Sequence, residues 1–166
     1  MGLVLQEPFM FYGTVASNIR MFNEKISDEE VRSAAQFVQA DKFIEDLPQK
    51  YDARVIERGA SYSSGQRQLI SFARTLVTDP KILILDEATA NIDTETEQII
   101  QTGLAKLQQG RTTIAIAHRL STIQNADLIL VLDAGKIVER GTNDELMKKH
   151  GYYYDMIRLQ NSAHLD

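Results

Sequence analysis

The stretch Lys81-Ile82-Leu83-Ile84-Leu85-Asp86-Glu87-Ala88 decides how the rest of the chain is read. Four apolar residues in a row, stopping at two carboxylates, predict a strand buried on both faces. Working outward, a second apolar strand is expected over 112–117. Leu3-Val4-Leu5 supplies a third, ended by Glu7-Pro8 because proline has no donor for the ladder. A strand that opens the sequence with no element ahead of it points to a piece of a longer polypeptide. Apolar strands alternating with helices predict an α/β layer with a parallel sheet. Ligand-handling groups in such sheets gather at the carboxyl ends of the strands, where Gln6, Asp86-Glu87 and His118 fall.

Between Gln6 and Asp86 the periodicity is helical from Thr14 to about Thr78. Ser27-Asp28-Glu29-Glu30 reads as a capping box, and Val31, Ala34, Ala35 and Val38 follow on one face. A shorter helix is expected to hold Phe43, Ile44 and Leu47 before Pro48 stops it. A connector over 49–62 carries Gly59, and a further helix starts near Ser63 with Leu69, Ile70, Ala73, Leu76 and Val77 as its buried stripe. Beyond the central strand, Thr94 and Glu97 predict a second capping box, for a helix that Gly110 terminates. A short helix is expected around 121–125. Apolar runs at 128–132 and 136–139 flank Asp133-Ala134-Gly135, a hairpin signal. Thr142 and Glu145 cap a closing helix that is interrupted at Gly151.

Composition bounds the function. The 166 residues are 43% hydrophobic and 25% charged, which excludes a disordered or collagen-like chain. Eighteen basic against 23 acidic residues, a net charge of -5, argue against a general nucleic-acid-binding surface. Without cysteine there is no disulfide framework, thiolate zinc site or cysteine nucleophile. The longest apolar runs are strand-sized, short of a membrane span, and no signal-peptide pattern opens the chain. These features predict a soluble chain.

Three groups carry candidate chemistry. Adjacent carboxylates Asp86 and Glu87 at a buried strand tip repel each other and call for a cation or a shared proton. Mg²⁺ bridging to phosphate oxygens meets that need, although the same dipeptide also suits an ordinary strand end. Ser63-Ser64-Gly65-Gln66 opens a helix, whose free N–H groups and dipole suit an anion approaching past small residues; it also reads as a plain serine cap. His118, at the end of an apolar strand, is either a catalytic group or a structural histidine.

Taken in order, Gln6, Ser63-Ser64-Gly65-Gln66-Arg67-Gln68-Leu69, Ile82-Leu83-Ile84-Leu85-Asp86-Glu87-Ala88 and His118 closely resemble the ATP-binding cassette family. Within it, the chain resembles the nucleotide-binding domain of an exporter from the glutamine loop onward, over essentially its whole length. The resemblance implies a P-loop NTPase-like α/β fold: part of a three-layer core with the α-helical subdomain inserted. Residues 14–78 then form the helical subdomain, and 1–13 with 79–166 part of the catalytic core. By the same resemblance the strands at 3–6, 82–86 and 112–117 pair side by side, and the one at 128–132 stays apart from them.

The resemblance also implies ATP and Mg²⁺ as ligands of the complete domain. Gln6 matches the residue that senses Mg²⁺ and the γ-phosphate and contacts the membrane domain. Ser63, Gly65 and Gln66 match the signature motif, which binds the γ-phosphate of ATP held by the opposite subunit. Asp86 matches the aspartate that orders Mg²⁺ and its water, and Glu87 the general base or water-polarising carboxylate. His118 matches the histidine contacting the γ-phosphate and attacking water, and Asp93 the residue communicating across the dimer. Glu57-Arg58-Gly59 resembles the segment by which exporters couple to membrane-domain loops.

Two departures stand out. Tyr62 replaces the usual signature leucine and Ser64 its first glycine. No Gly-x-x-x-x-Gly-Lys-[Ser/Thr] occurs in these 166 residues, so the chain is expected to carry half of each nucleotide site and to be inactive alone. The expected parent is a multidrug- or lipid-type exporter at the cytoplasmic face of the cell membrane. Its expected partners are a second nucleotide-binding domain and a transmembrane domain, with no nucleic acid. The alternatives are a non-transport ATPase of the same superfamily, of DNA-repair or translation-factor type, and a non-enzymatic interaction module. A compact helical block in place of a long coiled-coil insertion, together with Glu57-Arg58-Gly59, favours the exporter.

Overall fold

The computed structural model of the chain describes residues 1–86, 94–116 and 123–162. Two compact units make it up, Met1–Ile116 and Ala117–Asp166. In the first, the order is β1 (Gly2–Val4), β2 (Gly13–Thr14), α1 (Val15–Ile19), α2 (Asp28–Phe37), α3 (Asp41–Glu45), β3 (Arg54–Val55), α4 (Ser64–Leu76), β4 (Ile82–Asp86), α5 (Thr94–Gln108) and β5 (Thr112–Ile116). The second holds β6 (Ile129–Asp133), β7 (Lys136–Gly141), α6 (Asn143–Lys149) and α7 (Tyr152–Ser162).

The α/β layer and its parallel sheet are as expected. β1, β4 and β5 pair in that order, all parallel, with Leu3 opposite Ile84 and Ile84 opposite Ile114. Val4, Leu83 and Leu85 turn into a core shared with Leu69, Ile70, Phe72 and Ala73 of α4 and Ile100, Leu104 and Leu107 of α5. Each of these side chains larger than alanine contributes about 1.5–3 kcal/mol when fully buried. The same core runs on through Val15, Ile19, Val31, Ala35, Val38 and Ile44 of the helical block.

One expectation is corrected here. β4 is not buried on both faces among the described residues: Ile82 is 43% exposed, and its neighbours Leu3 and Ile114 on that face are open too. The described helices of this unit pack on the Leu83–Leu85 side alone, so alternate residues of an all-apolar strand meet different surroundings.

Inside the helical block, Ser27 and Glu30 form the expected capping box, with the Glu30 carboxylate accepting from the Ser27 N–H at 2.8 Å. The helical periodicity hides a two-residue antiparallel ladder, in which Gly13 pairs with Val55 and Thr14 with Arg54. It pins the start of α1 to the far end of the connector. α4 is also less one-sided than its stripe suggests: Gln68, Ser71 and Thr75 are buried, whereas Leu76 and Val77 are half-buried. The helix packs against α1, α2, α5 and β1, so several of its faces find cover. The expected capping box of Thr94 and Glu97 involves a Thr94 side chain outside the described residues; of the helix expected around 121–125, residues 121 and 122 lie outside them, Ile123 is helical, and Gln124 and Asn125 form a turn.

In the second unit, β6 and β7 form the expected hairpin. Ala134 and Gly135, at φ 47° and 75°, make the two-residue turn, whose hand matches the twist of the strands. Thr142 and Glu145 cap α6 as expected, and α7 follows Gly151. Glu139 is buried and accepts the Tyr153 N–H at 2.9 Å in the first turn of α7. A side chain at Gly151 would sit 2.0 Å from that carboxylate, which explains the glycine.

Candidate functional site

The sheet brings two predicted residues to one edge. Leu85 lies opposite Val4 in parallel register, so Asp86, which ends β4, and Gln6, two residues past the end of β1, both fall at the carboxyl edge of the sheet. Ile116, which ends β5, pairs with Asp86 at that same edge. Asp86 is half-buried and Gln6 exposed, as a carboxylate and an amide available to a ligand should be. Glu87, Asp93 and His118 lie outside the described residues.

The second group is the first turn of α4. Ser63 is its N-cap, in extended geometry at φ -62° and ψ 162°. Its Oγ accepts from the Gln66 N–H at 3.1 Å, while the Gln66 Oε1 accepts from the Ser63 N–H at 2.9 Å. The box uses the Ser63 Oγ as an acceptor, so its O–H is left to donate, and the first N–H groups of a helix have no partner within the helix. Gly65 is buried in that turn. Gln66 therefore spends its side-chain oxygen on holding Ser63, with its amide NH₂ left to donate.

Tyr62, the departure from the signature, is accounted for by packing. Its ring is buried, its hydroxyl donates to the Arg54 carbonyl at 3.2 Å, and its own carbonyl accepts from Arg67 Nη1 at 2.6 Å. Burial pushes its phenol pKa up. A tyrosine here fills an apolar site and ties the start of α4 to β3.

Sequence reasoning missed a third feature beside Gln6. Phe9, Phe11 and Phe22 form an exposed aromatic patch, stacked edge to face at 5.0 and 6.0 Å, with Tyr12 and Met21 alongside in the chain and also exposed. Met21 and Phe22 both have left-handed backbones, at φ 52° and 57°. Such backbones cost bulky residues roughly 1–2 kcal/mol each. Arg58, also left-handed at φ 58°, places its guanidinium 5.9 Å from the Phe9 ring. Under the patch lies Arg74 of α4, bonded to Asn18 and to the carbonyl of Phe9. The available signal was the run Pro8-Phe9-Met10-Phe11-Tyr12 directly after Gln6.

Among the described residues, no cluster of three or more His, Cys, Asp or Glu side chains suits a metal ion, and no helix is long and apolar enough to cross a membrane. Asp86 alone fits a hard cation that takes its other ligands from phosphate and water.

Comparison with known proteins agrees with this arrangement. A family model described as ABC transporter matches residues 1–90. The putative ABC transporter ATP-binding protein exp8 of Streptococcus pneumoniae is 62% identical over 99% of this chain and 28% of its own length. The probable multidrug resistance ABC transporter ATP-binding/permease protein YheH of Bacillus subtilis is 57% identical over 96% of this chain and 24% of its own. The chain thus spans well under a third of these relatives. Among solved structures, a bacterial Atm1-family ABC exporter with ATP bound superposes with a TM-score of 0.86 at 44% identity, covering 96% of this chain and 28% of that one. The family model covers more than half of this chain, and the chain belongs to the ABC transporter family.

Proposed function

We propose that the chain is part of the ATP-binding and ATP-hydrolysing domain of a multidrug- or lipid-type exporter, working at the cytoplasmic face of a cell membrane. The observation that carries this reading is the fall of Asp86, at the end of β4, and Gln6, just past the end of the adjacent parallel β1, at one sheet edge. In it, Asp86 holds Mg²⁺ on ATP, with Gln6 beside it, and Glu87 polarises the attacking water as general base. His118 contacts the γ-phosphate and that water, and Asp93 links the two domains of a dimer. Mg²⁺, when bound, neutralises charge on the phosphate oxygens. Ser63, Gly65 and Gln66 donate to the γ-phosphate of ATP held by a second nucleotide-binding domain. A Ser63 hydroxyl that only accepts within its capping box, at the start of a 13-residue helix, supports that role.

The same reading assigns 14–78 to the helical subdomain, and 1–13 with 79–166 to the catalytic core. A transmembrane part is the other partner, supported by the "ATP-binding/permease" name of the Bacillus relative. The exposed rings of Phe9, Phe11 and Phe22, next to Gln6 and Arg58, suit the loops of that part as a docking surface. The 166 residues contain no Gly-x-x-x-x-Gly-Lys-[Ser/Thr], whose backbone cradle and lysine hold the phosphates, so this stretch alone does not turn ATP over. Phosphate release with millimolar Mg-ATP tests both halves of the proposal. The full-length protein in lipid should hydrolyse ATP and the 166-residue chain should stay at background. A full-length protein without ATPase activity, or a turning-over 166-residue chain, overturns the corresponding half.

A further inference from the structure

Arg74 has an environment that neither its sequence position nor the family match explains. It sits in the last turn of α4. Its Nε donates to the Asn18 carbonyl at 2.9 Å, Nη1 to the Phe9 carbonyl at 2.9 Å, and Nη2 to Asn18 Oδ1 at 3.0 Å, with the Met10 sulfur at 3.8 Å. The Phe11 ring centroid lies 5.5 Å from the guanidinium carbon. All four of these acceptors are neutral. Burial pulls the pKa down to about 10, which still leaves the group charged at neutral pH.

A cation so placed is expensive in stability, and a well-packed apolar residue would be the cheaper filler. What the guanidinium supplies is a rigid fork that reaches two separate segments at once. Asn18 completes the joint: its Oδ1 accepts from the Phe11 N–H at 2.8 Å, and its Nδ2 donates to the carbonyls of Phe11 and Thr14, both at 2.9 Å. Phe9 is thereby fastened to α4 across 65 residues of sequence, Phe11 to Asn18 of α1 across seven, and Asn18 to α4 across 56. Met10, fully buried, also lies against Gly59, just ahead of the first turn of α4.

We propose that Arg74 is a positioning residue that makes segment 9–11 and α4 move as one body, so that a load on the exposed aromatic rings reaches the helix whose first turn carries Ser63 and Gly65. Its mechanical half stands on the bonds alone. The consequence for turnover rests on the function proposed above.

The test uses the full-length protein in lipid as wild type, R74M and R74K, with hydrogen exchange read by mass spectrometry and ATPase rates normalised to bound ATP. In the wild type the Phe11 amide should exchange as slowly as the interior of α4; exchange at the rate of an exposed loop overturns the proposal without any variant. In both variants, amides of segment 9–11 should exchange roughly tenfold faster or more while α2 is unchanged, because local opening follows the bonds lost. R74K keeps the charge and stem, so it guards against R74M failing to fold, and it should not rescue. Turnover per bound ATP should fall about tenfold with the KM for ATP within twofold, the pattern of a lost transition-state arrangement and not of lost binding. A segment that stays protected in the variants, or full rescue by lysine, refutes the positioning role. Loosening without loss of turnover refutes the link to α4's first turn. A wild type that does not hydrolyse ATP refutes the function proposed above and leaves the exchange result standing.

Discussion

Gly59 is the position where backbone geometry and the site are most tightly joined, and replacing it with alanine gives a worked prediction. Its φ of +80° lies in the left-handed region, and a Cβ there would stand 2.9 Å from Met10 Cγ and 3.0 Å from Met10 Cβ. Those atoms belong to the base of a fully buried side chain, which cannot swing aside as a free tip would. The backbone term costs about 1–2 kcal/mol and the overlap about 1–3 kcal/mol. Loss of glycine's freedom in the unfolded chain returns about 0.4–1 kcal/mol. The net is a destabilisation of roughly 3 kcal/mol, or a melting temperature lower by about 6–12 °C. Gly110 supplies the control: it has φ +69° but nothing within 4 Å of its Cβ, so G110A carries the backbone term alone. Denaturant unfolding followed by circular dichroism should therefore rank G59A clearly below G110A. Equal losses in the two variants would show that the Met10 contact has no energetic weight.

Three further outcomes follow from the same structure. Ser63→Ala removes one arm of a closed capping box, costing about 1 kcal/mol in unfolding experiments, and in the full-length protein it should also lower ATP turnover; unchanged stability and turnover would refute both roles. Glu30 is held below its ordinary 4.5 by hydrogen bonds from Ser27, and Asp79 below its ordinary 3.8 by Lys81 and then Arg111. With both pKa values depressed, their stabilisation is present above the ordinary values and lost as pH falls through the folded ones. The melting temperature should therefore decline more steeply below pH 4.5 in the wild type than in an E30Q/D79N double variant, and parallel curves would refute this. His118→Ala in the full-length protein should cut hydrolysis strongly, and a wild-type rate would remove His118 from the mechanism.

Much of this architecture is legible in the sequence because it is local. Ser27 with Glu30, and Thr142 with Glu145, cap helices three residues away. Ala134-Gly135 sets its own turn, and the apolar run from Ile82 to Leu85 marks the middle strand of the parallel sheet. What escapes a reading of sequence is non-local. The pairing of Gly13 with Val55 involves strands of two residues, too short to carry a period. Arg74 looks like any solvated helix cation until the fold brings Phe9 to it from 65 residues away. The open face at Ile82 and Ile114 is invisible as well, since an all-apolar strand has no polar side to announce which face is bare. Gln6 and Asp86, 80 residues apart in sequence, fall at one sheet edge only through the parallel register of β1 and β4.

The central claim is that this chain supplies residues that hydrolyse ATP, and Glu87→Gln in the full-length protein tests it most directly. The amide keeps the shape of the side chain and removes the charge that polarises water; loss of a positioned general base costs about 10²–10⁴-fold in rate. Phosphate release should fall by that order while ATP binding, measured by equilibrium titration, stays within a few-fold of wild type. Hydrolysis at the wild-type rate with Glu87→Gln would contradict the account.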